Sequence, residues 1–171
     1  MLARLRQDTS GAAAAEMALV APLLIALMLG SMELGYYFYS EHVVVKAVRD
    51  GARFASRQGF DKYSCPNAVD NTLETEIRRV TRTNQVTSGG APRLANWTSD
   101  ASVSVSLSCV DNSSGDYGSF YTDYVDSSGT PRVPVVTVSA SVAYSSLFEL
   151  IGFRSSGLSL SAQSQAAVMG I

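Results

Sequence analysis

The feature that constrains this chain most is a long apolar run near its N-terminus. From Met17 to Met32 the only non-apolar side chain is Ser31. Together with the alanines at 12–15, the run reaches the about 20 residues that a helix needs to cross a bilayer. A secretory signal has an apolar region of only about 7 to 15 residues and ends in a small-x-small cleavage site. We therefore predict a membrane-spanning helix rather than a removed signal peptide.

The residues that flank the apolar run predict its orientation. Arg4 and Arg6 precede it, and an aromatic cluster at 36–39 follows it. Positive charge marks the cytoplasmic side of a span, and Tyr and Trp gather at the membrane interfaces. The N-terminus is therefore expected in the cytoplasm, and everything after Ser40 is expected to be exported.

Glu16 lies directly before the apolar core of the predicted span. A carboxylate within a membrane is costly, so such a residue is by default paired and functional. If the chain were cut after Gly11, the new ammonium of Ala12 would supply a cationic partner, in the same chain or in a neighbouring subunit. The alternative is an interfacial Glu16 that lipid headgroups solvate. Glu33, at the far end of the run, is expected to be interfacial.

A face of small residues follows the predicted span. Its members recur at steps of three and four, as the residues of one helix face do. Such a seam permits close approach of a second helix. It also suits packing on the chain's own globular part, and the sequence leaves both readings open. The seam consists of Val44, Ala47, Val48, Gly51, Ala52 and Ala55.

The two cysteines predict a disulfide rather than a metal site. Cys65 and Cys109 stand far apart, with no CxxC and no neighbouring histidine, so the usual zinc and dithiol spacings are missing. A disulfide requires an oxidising compartment, as expected outside the cytoplasm. Two buried free thiols are the alternative. The formal net charge of −2 gives no field for a nucleic acid, and we exclude that class of partner.

The rest of the chain predicts a small antiparallel sheet with one short helix. Apolar positions recur at helical spacing from about Asn67 to Thr83, with Arg78, Arg79 and Arg82 on the solvated face. Strict alternation follows at 103–109, and similar runs lie at 133–144 and 158–168. The predicted class is therefore α+β: a long N-terminal transmembrane helix, then an exported antiparallel β-sheet head with a short helix.

A long loop, 111–130, is rich in Ser, Gly, Asp and Tyr. Loops of this length are often functional, so its exposed tyrosines are a possible contact for a partner. The order of its acidic residues does not fit the calcium loop of an EF-hand. We predict no metal and no cofactor. No hydrolase, kinase or metalloprotease motif occurs, and the one histidine, His42, follows the span, so no enzymatic activity is expected.

Two motifs carry a resemblance to a known family. The string Gly11-Ala12-Ala13-Ala14-Ala15-Glu16 before an apolar helix resembles the cleavage region of type IV-like prepilins. The segment 47–55, Ala-Val-Arg-Asp-Gly-Ala-Arg-Phe-Ala, resembles the one that follows the membrane helix in TadE-like proteins, minor pseudopilins of tight-adherence pilus systems. Met17 departs from the pattern, since relatives usually carry an aromatic residue there.

The resemblance implies three regions and a role. Residues 1–11 would be a leader, 12–58 a transmembrane and extended helix, and 59–171 an exported β-rich head. A prepilin peptidase would cut between Gly11 and Ala12, and Glu16 would align the subunit with other pilins or pseudopilins. The implied location is the bacterial inner membrane, with a single pass and the head periplasmic or extracellular. The alternative function is an adhesin or envelope binding module with an uncleaved anchor that joins no pilus.

Overall fold

A computed structural model describes residues 10–149, 152 and 155–170. The regular structure of these residues consists of two α-helices, five strands and three short 3-10 helices. The residues fall into two compact units: one holds the described residues of 1–38 and 146–154, the other those of 39–145 and 155–171. In chain order the elements are α1 (Ser10–Ser56), β1 (Tyr63–Ser64), β2 (Ala68–Val69), α2 (Asn71–Thr83), β3 (Val103–Asp111), β4 (Arg132–Ala143) and β5 (Ser159–Ala167).

Helix α1 is 47 residues long and continues through Pro22. Alanine, leucine and methionine dominate its first half, and these residues are strong helix formers. At its C-terminal end the N–H groups of Arg57 and Gln58 donate to carbonyls three residues earlier, over 3.3 and 3.1 Å. Such short-range bonds satisfy carbonyls that lack a helical partner at a helix end. The helix therefore ends at Ser56, close to the predicted boundary at residue 58.

A small hairpin lies between the two helices. Strands β1 and β2 pair antiparallel through Tyr63 with Val69 and Ser64 with Ala68. The turn between them carries Cys65, which forms a disulfide with Cys109 of β3. The short helix was expected to begin near Asn67, and this boundary is wrong because the hairpin uses the backbone up to Val69.

Helix α2 begins after an N-cap. The Asp70 carboxylate accepts hydrogen bonds from the backbone N–H groups of Thr72 and Leu73, two donors that have no partner within a helix. These hydrogen bonds lower the pKa of Asp70, and the bond from Leu73 has the largest effect. On the outer side Arg82 contacts Asp100 at 2.5 Å. Arg82 is therefore ion-paired, and the prediction that it is simply solvated is wrong.

Strands β3, β4 and β5 form an antiparallel meander in that order. Val103 pairs with Ala140 and Leu107 with Val136, while Val142 pairs with Leu160 on the other side of β4. Because side chains alternate across a strand, one face gathers the buried residues of the core. The other face is uncharged and mostly polar, and its exposed side chains include Ser104, Ser106, Ser108, Ser141, Ser161, Gln163 and Gln165.

The inner face of the sheet packs against both helices. A Cβ atom placed on Gly51 of α1 would lie 3.4 Å from Cγ1 of Val138 on β4. Leu73, Ile77 and Val80 of α2 are buried. The predicted class, α+β with a long N-terminal helix, a short helix and an antiparallel sheet, is confirmed.

Candidate functional site

Three of the predicted site residues lie in the first two turns of α1. Gly11, Ala12 and Glu16 are all helical and exposed. Ala12 and Glu16 are four residues apart, so they share one face and are separated by about 6 Å along the helix axis. Among the described residues Glu16 has no hydrogen-bond or ion-pair partner. Residues 1–9 of the predicted leader, 1–11, lie outside the described part of the chain.

The first half of α1 exposes apolar side chains on all sides. Leu19 is 79% exposed and Met17 is 68% exposed. The most apolar 18-residue window of this helix has a mean hydropathy of 2.2, and none of it is buried within the structure. A helix that is apolar all round belongs in a bilayer or among other helices. This helix is therefore a candidate single membrane span, which is consistent with membrane anchoring.

Polar groups within the span find partners in two ways. The Ser31 hydroxyl donates to the Met28 carbonyl over 2.8 Å, so it costs little in an apolar surrounding. Glu33 accepts a hydrogen bond from the backbone N–H of Leu147 over 3.1 Å. Pro22 has no N–H, so the carbonyl of Ala18 lacks its usual helical donor. Membrane helices tolerate such a gap where a neighbouring group fills it.

The small-residue seam of α1 packs on the chain's own head. Val44, Ala47 and Ala55 are fully buried in the unit that contains the sheet. Gly51 marks the closest approach, because a Cβ there would overlap Oγ1 of Thr81 on α2. Thr81 is itself fully buried, and its hydroxyl donates to the Ile77 carbonyl over 2.8 Å. Of the two readings left open by the sequence, the structure shows packing within the chain.

An ion pair and a phenol hold the helix on the head. Arg93 Nη2 donates to Asp50 Oδ2 over 2.8 Å and to Asn84 Oδ1 over 2.9 Å. The Tyr63 hydroxyl donates to the Ala55 carbonyl over 2.5 Å. Burial raises the pKa of Tyr63 above its ordinary value. The sequence did not predict the Asp50–Arg93 pair, because the partners are 43 residues apart and no local pattern links them.

The loop after β3 is an ordered structure. Asp126 accepts from the hydroxyl and N–H of Ser128 and from Nε of Arg132, the last over 2.8 Å. These contacts hold the pKa of Asp126 well below its usual range, and the hydrogen bond from the Ser128 hydroxyl has the largest effect. Hydrogen bonds from Ser113 likewise lower the pKa of Asp111, which also contacts Arg132 at 3.3 Å. Arg132 thus neutralises both carboxylates.

Aromatic side chains anchor the same loop. Tyr121 is buried, and the Tyr124 hydroxyl donates to the Tyr63 carbonyl over 2.9 Å. Phe60 stacks near both Tyr124 and Phe120, with ring centroids 5.1 and 5.7 Å apart. Tyr117 and Phe120 remain about half exposed, at 54% and 51%. The loop therefore presents aromatic surface on a rigid base.

Metal-ligand clusters and hollows are the features of the described residues that bear on catalysis. No group of three or more His, Cys, Asp or Glu among them is placed to bind a metal ion. A hollow of about 370 Å³ on the polar face of the sheet is lined by Ser, Ala and Gln side chains, including Ser104, Ser139 and Gln163, and has no titratable group in its wall. The absence of enzymatic activity stays a prediction from the sequence.

Comparisons with known proteins agree with the resemblance in the first part of the chain. The family model described as TadE-like protein matches residues 11–53. This segment covers the candidate span, Glu16 and the seam up to Arg53. Comparison with curated proteins and with solved structures gave no match. Over residues 11–53, the chain is therefore similar to TadE-like proteins.

Proposed function

We propose that this protein is a minor pseudopilin that assists assembly of a tight-adherence pilus through packing of its N-terminal helix. The observation that carries the proposal is Glu16, an exposed carboxylate beside an apolar segment. Glu16 lies one helical turn from Ala12 and has no hydrogen-bond or ion-pair partner among the described residues. The match to TadE-like proteins over residues 11–53 supports the same role.

The charge of Glu16 makes helix packing directional. A carboxylate at the centre of a membrane helix costs about 2.5–3.5 kcal/mol on insertion scales, and less toward the interface. An ammonium at Ala12 would offset this cost, once cleavage after Gly11 has exposed it. The two residues are about 6 Å apart along the axis of one helix. A neighbouring helix displaced by about one turn would bring its ammonium level with Glu16, which favours pairing between subunits.

The proposed cellular location follows from the candidate membrane span. The location that we propose is the bacterial inner membrane, with a single pass, the N-terminus in the cytoplasm and the head in the periplasm or outside the cell. The Cys65–Cys109 disulfide supports an oxidising location for the head. Prepilin peptidase and other pilins or pseudopilins of the system are the proposed partners.

The role of Glu16 is tested by replacing it in cells that make the pilus. Glu16→Ala and Glu16→Gln both remove the charge, and we expect both to abolish piliation in electron micrographs. Glu41→Gln is the matched control, because Glu41 also lies on α1 but falls beyond the apolar run. Emission from Trp97, the one tryptophan, checks that the head stays folded. Normal pili in both Glu16 variants would contradict the proposal.

The N-terminus of the mature protein separates the proposal from its alternative. Mass spectrometry should show a chain that begins at Ala12 in cells with the peptidase, and at Met1 in cells without it. An intact Met1 in both strains would favour an adhesin or envelope binding module that keeps its anchor.

A further inference from the structure

We propose that a basic stripe on α1 binds the acidic, aromatic loop of a second copy of this chain. The stripe consists of Lys46, Arg49 and Arg53 of α1 and of Arg57, the first residue after this helix. The loop is the segment 112–131, with exposed Asp116, Tyr117, Phe120 and Asp123. This inference goes beyond the proposed function, because both surfaces belong to the unit that contains the sheet and neither lies in the apolar run 17–32.

The stripe is a continuous exposed surface. Its residues follow each other at steps of three or four, so they lie along one side of the helix. All four are exposed, whereas the seam residues on the opposite side are buried. The stripe spans about 16 Å at 1.5 Å per residue.

No anion within the described chain neutralises the stripe. Asp50, the nearest acid in sequence, is engaged with Arg93. None of the four stripe side chains forms an ion pair with a described residue. Neighbouring like charges at these spacings destabilise a helix. The negative C-terminal end of the helix favours positive charges in the last turn only. It therefore does not account for the charges of Lys46 and Arg49.

The loop offers the complementary chemistry. Between Asn112 and Pro131 the sequence holds three Asp and no Lys, Arg or His. Of these acids Asp126 is engaged by Arg132, while Asp116 and Asp123 stay exposed. Arginine pairs with carboxylates and also stacks on aromatic rings. The exposed rings of Tyr117 and Phe120 therefore suit the same partner as the two carboxylates.

The loop is also held in place before any partner binds. The Asn112 side chain accepts from the Tyr117 N–H over 3.0 Å, and Tyr121 is buried beneath. A rigid surface loses little conformational entropy on binding. An anionic lipid would match the stripe but would leave the loop without a partner, whereas a second copy matches both. Because stripe and loop are different patches, each copy can bind one neighbour on each side, which builds an open row.

The test uses charge reversal in the full chain, purified in a zwitterionic detergent at low salt. The stripe variant is Arg49→Glu with Arg53→Glu, and the loop variant is Asp116→Lys with Asp123→Lys. We expect each variant alone to self-associate at least about tenfold more weakly than the parent in analytical ultracentrifugation. A mixture of the two variants should regain association, because their surfaces are again complementary. Added salt should weaken the parent's association.

A third variant controls for net charge. Lys62→Glu with Arg79→Glu changes the net charge by the same amount as the stripe variant, at positions outside both surfaces, and should leave association unchanged. Trp97 emission and the intact disulfide report that each variant is folded. Association that needs added anionic lipid and ignores the loop variant would overturn the proposal in favour of a lipid partner. A parent that stays monomeric, or a mixture that fails to regain association, overturns it as well.

Discussion

Gly51→Ala is the sharpest probe of how the helix docks on its head. The new methyl would overlap Oγ1 of Thr81 and lie 3.3 Å from Cβ of the same residue and 3.4 Å from Cγ1 of Val138. Thr81 has little freedom to yield, because it is fully buried and its hydroxyl is bonded to the Ile77 carbonyl. The substitution therefore forces either a shift between α1 and α2 or a rotation of Thr81.

The expected loss follows from three contributions. Overpacking a filled core costs about 1–3 kcal/mol. Breaking the Thr81 hydrogen bond by rotation costs about 0.5–1.5 kcal/mol. Replacing glycine by alanine within a helix returns about 1 kcal/mol. We therefore expect Gly51→Ala to lower the free energy of unfolding of the head by roughly 0.5–3.5 kcal/mol.

Trp97 provides the assay. It is buried, it is the one tryptophan, and its Nε1 donates to the Ser102 hydroxyl over 2.6 Å. Guanidinium unfolding in detergent, followed by its emission, gives the stability of the parent and of the variants. Thr81→Ala removes the overlapping atom, so the double variant should recover part of the loss, with a coupling energy of about 1 kcal/mol or more.

A second glycine of α1 supplies the control. Nothing lies within 4 Å of a Cβ at Gly35, so Gly35→Ala should leave the unfolding of the head unchanged. If Gly51→Ala were as stable as the parent and showed no coupling with Thr81→Ala, the close crossing at Gly51 would be refuted.

Two further predictions concern the disulfide and the acid range. Replacing Cys65 and Cys109 by serine opens a loop with a sequence separation of 44, and the chain-entropy model gives a loss of about 4 kcal/mol in the free energy of unfolding. Parent and variant are compared by guanidinium unfolding, and equal midpoints would contradict the expected stabilisation. For the acid range, the folded state lowers the pKa of Asp126 and Asp111. The two carboxylates therefore stabilise the folded state at pH values above their unfolded pKa, near 4. This stabilisation is lost as the pH falls below that value toward the pKa values of the folded state. Asp126→Asn should lower stability at pH 7 and flatten the decline below about pH 4, and a parallel decline in both proteins would count against the assignment.

Local patterns predicted most of the fold. The alternation at 103–109 became β3, and the runs at 133–144 and 158–168 became β4 and β5 within a residue or two of each end. A half-buried strand shows its period directly in the sequence. The hairpin before α2 was missed because strands of two residues are too short to show a period. Its pairing is defined instead by contacts such as Tyr63 with Val69.

The sequence could propose candidate residues only where they are close together in the chain, and the roles of these residues stay a prediction. Gly11, Ala12 and Glu16 form one local motif, and the family comparison covers all three. The Asp50–Arg93 pair and the neutralisation of Asp111 and Asp126 by Arg132 depend on which loops meet. The exposed stripe needed the structure too, because only burial of the seam shows which side of α1 remains free.

The structure also limits where subunits can pack through helix α1. The seam from Val44 to Ala55 contains the small residues that suit close helix packing, yet it is buried in the head. A second helix could use that face only if the head opened, which would expose its core and break the Asp50–Arg93 pair. Subunits that assemble through α1 of the folded protein, as we propose, would therefore use other surfaces. Among the described residues these are the apolar turns that carry Glu16 and the basic stripe from Lys46 to Arg57, and charge substitutions distinguish the two.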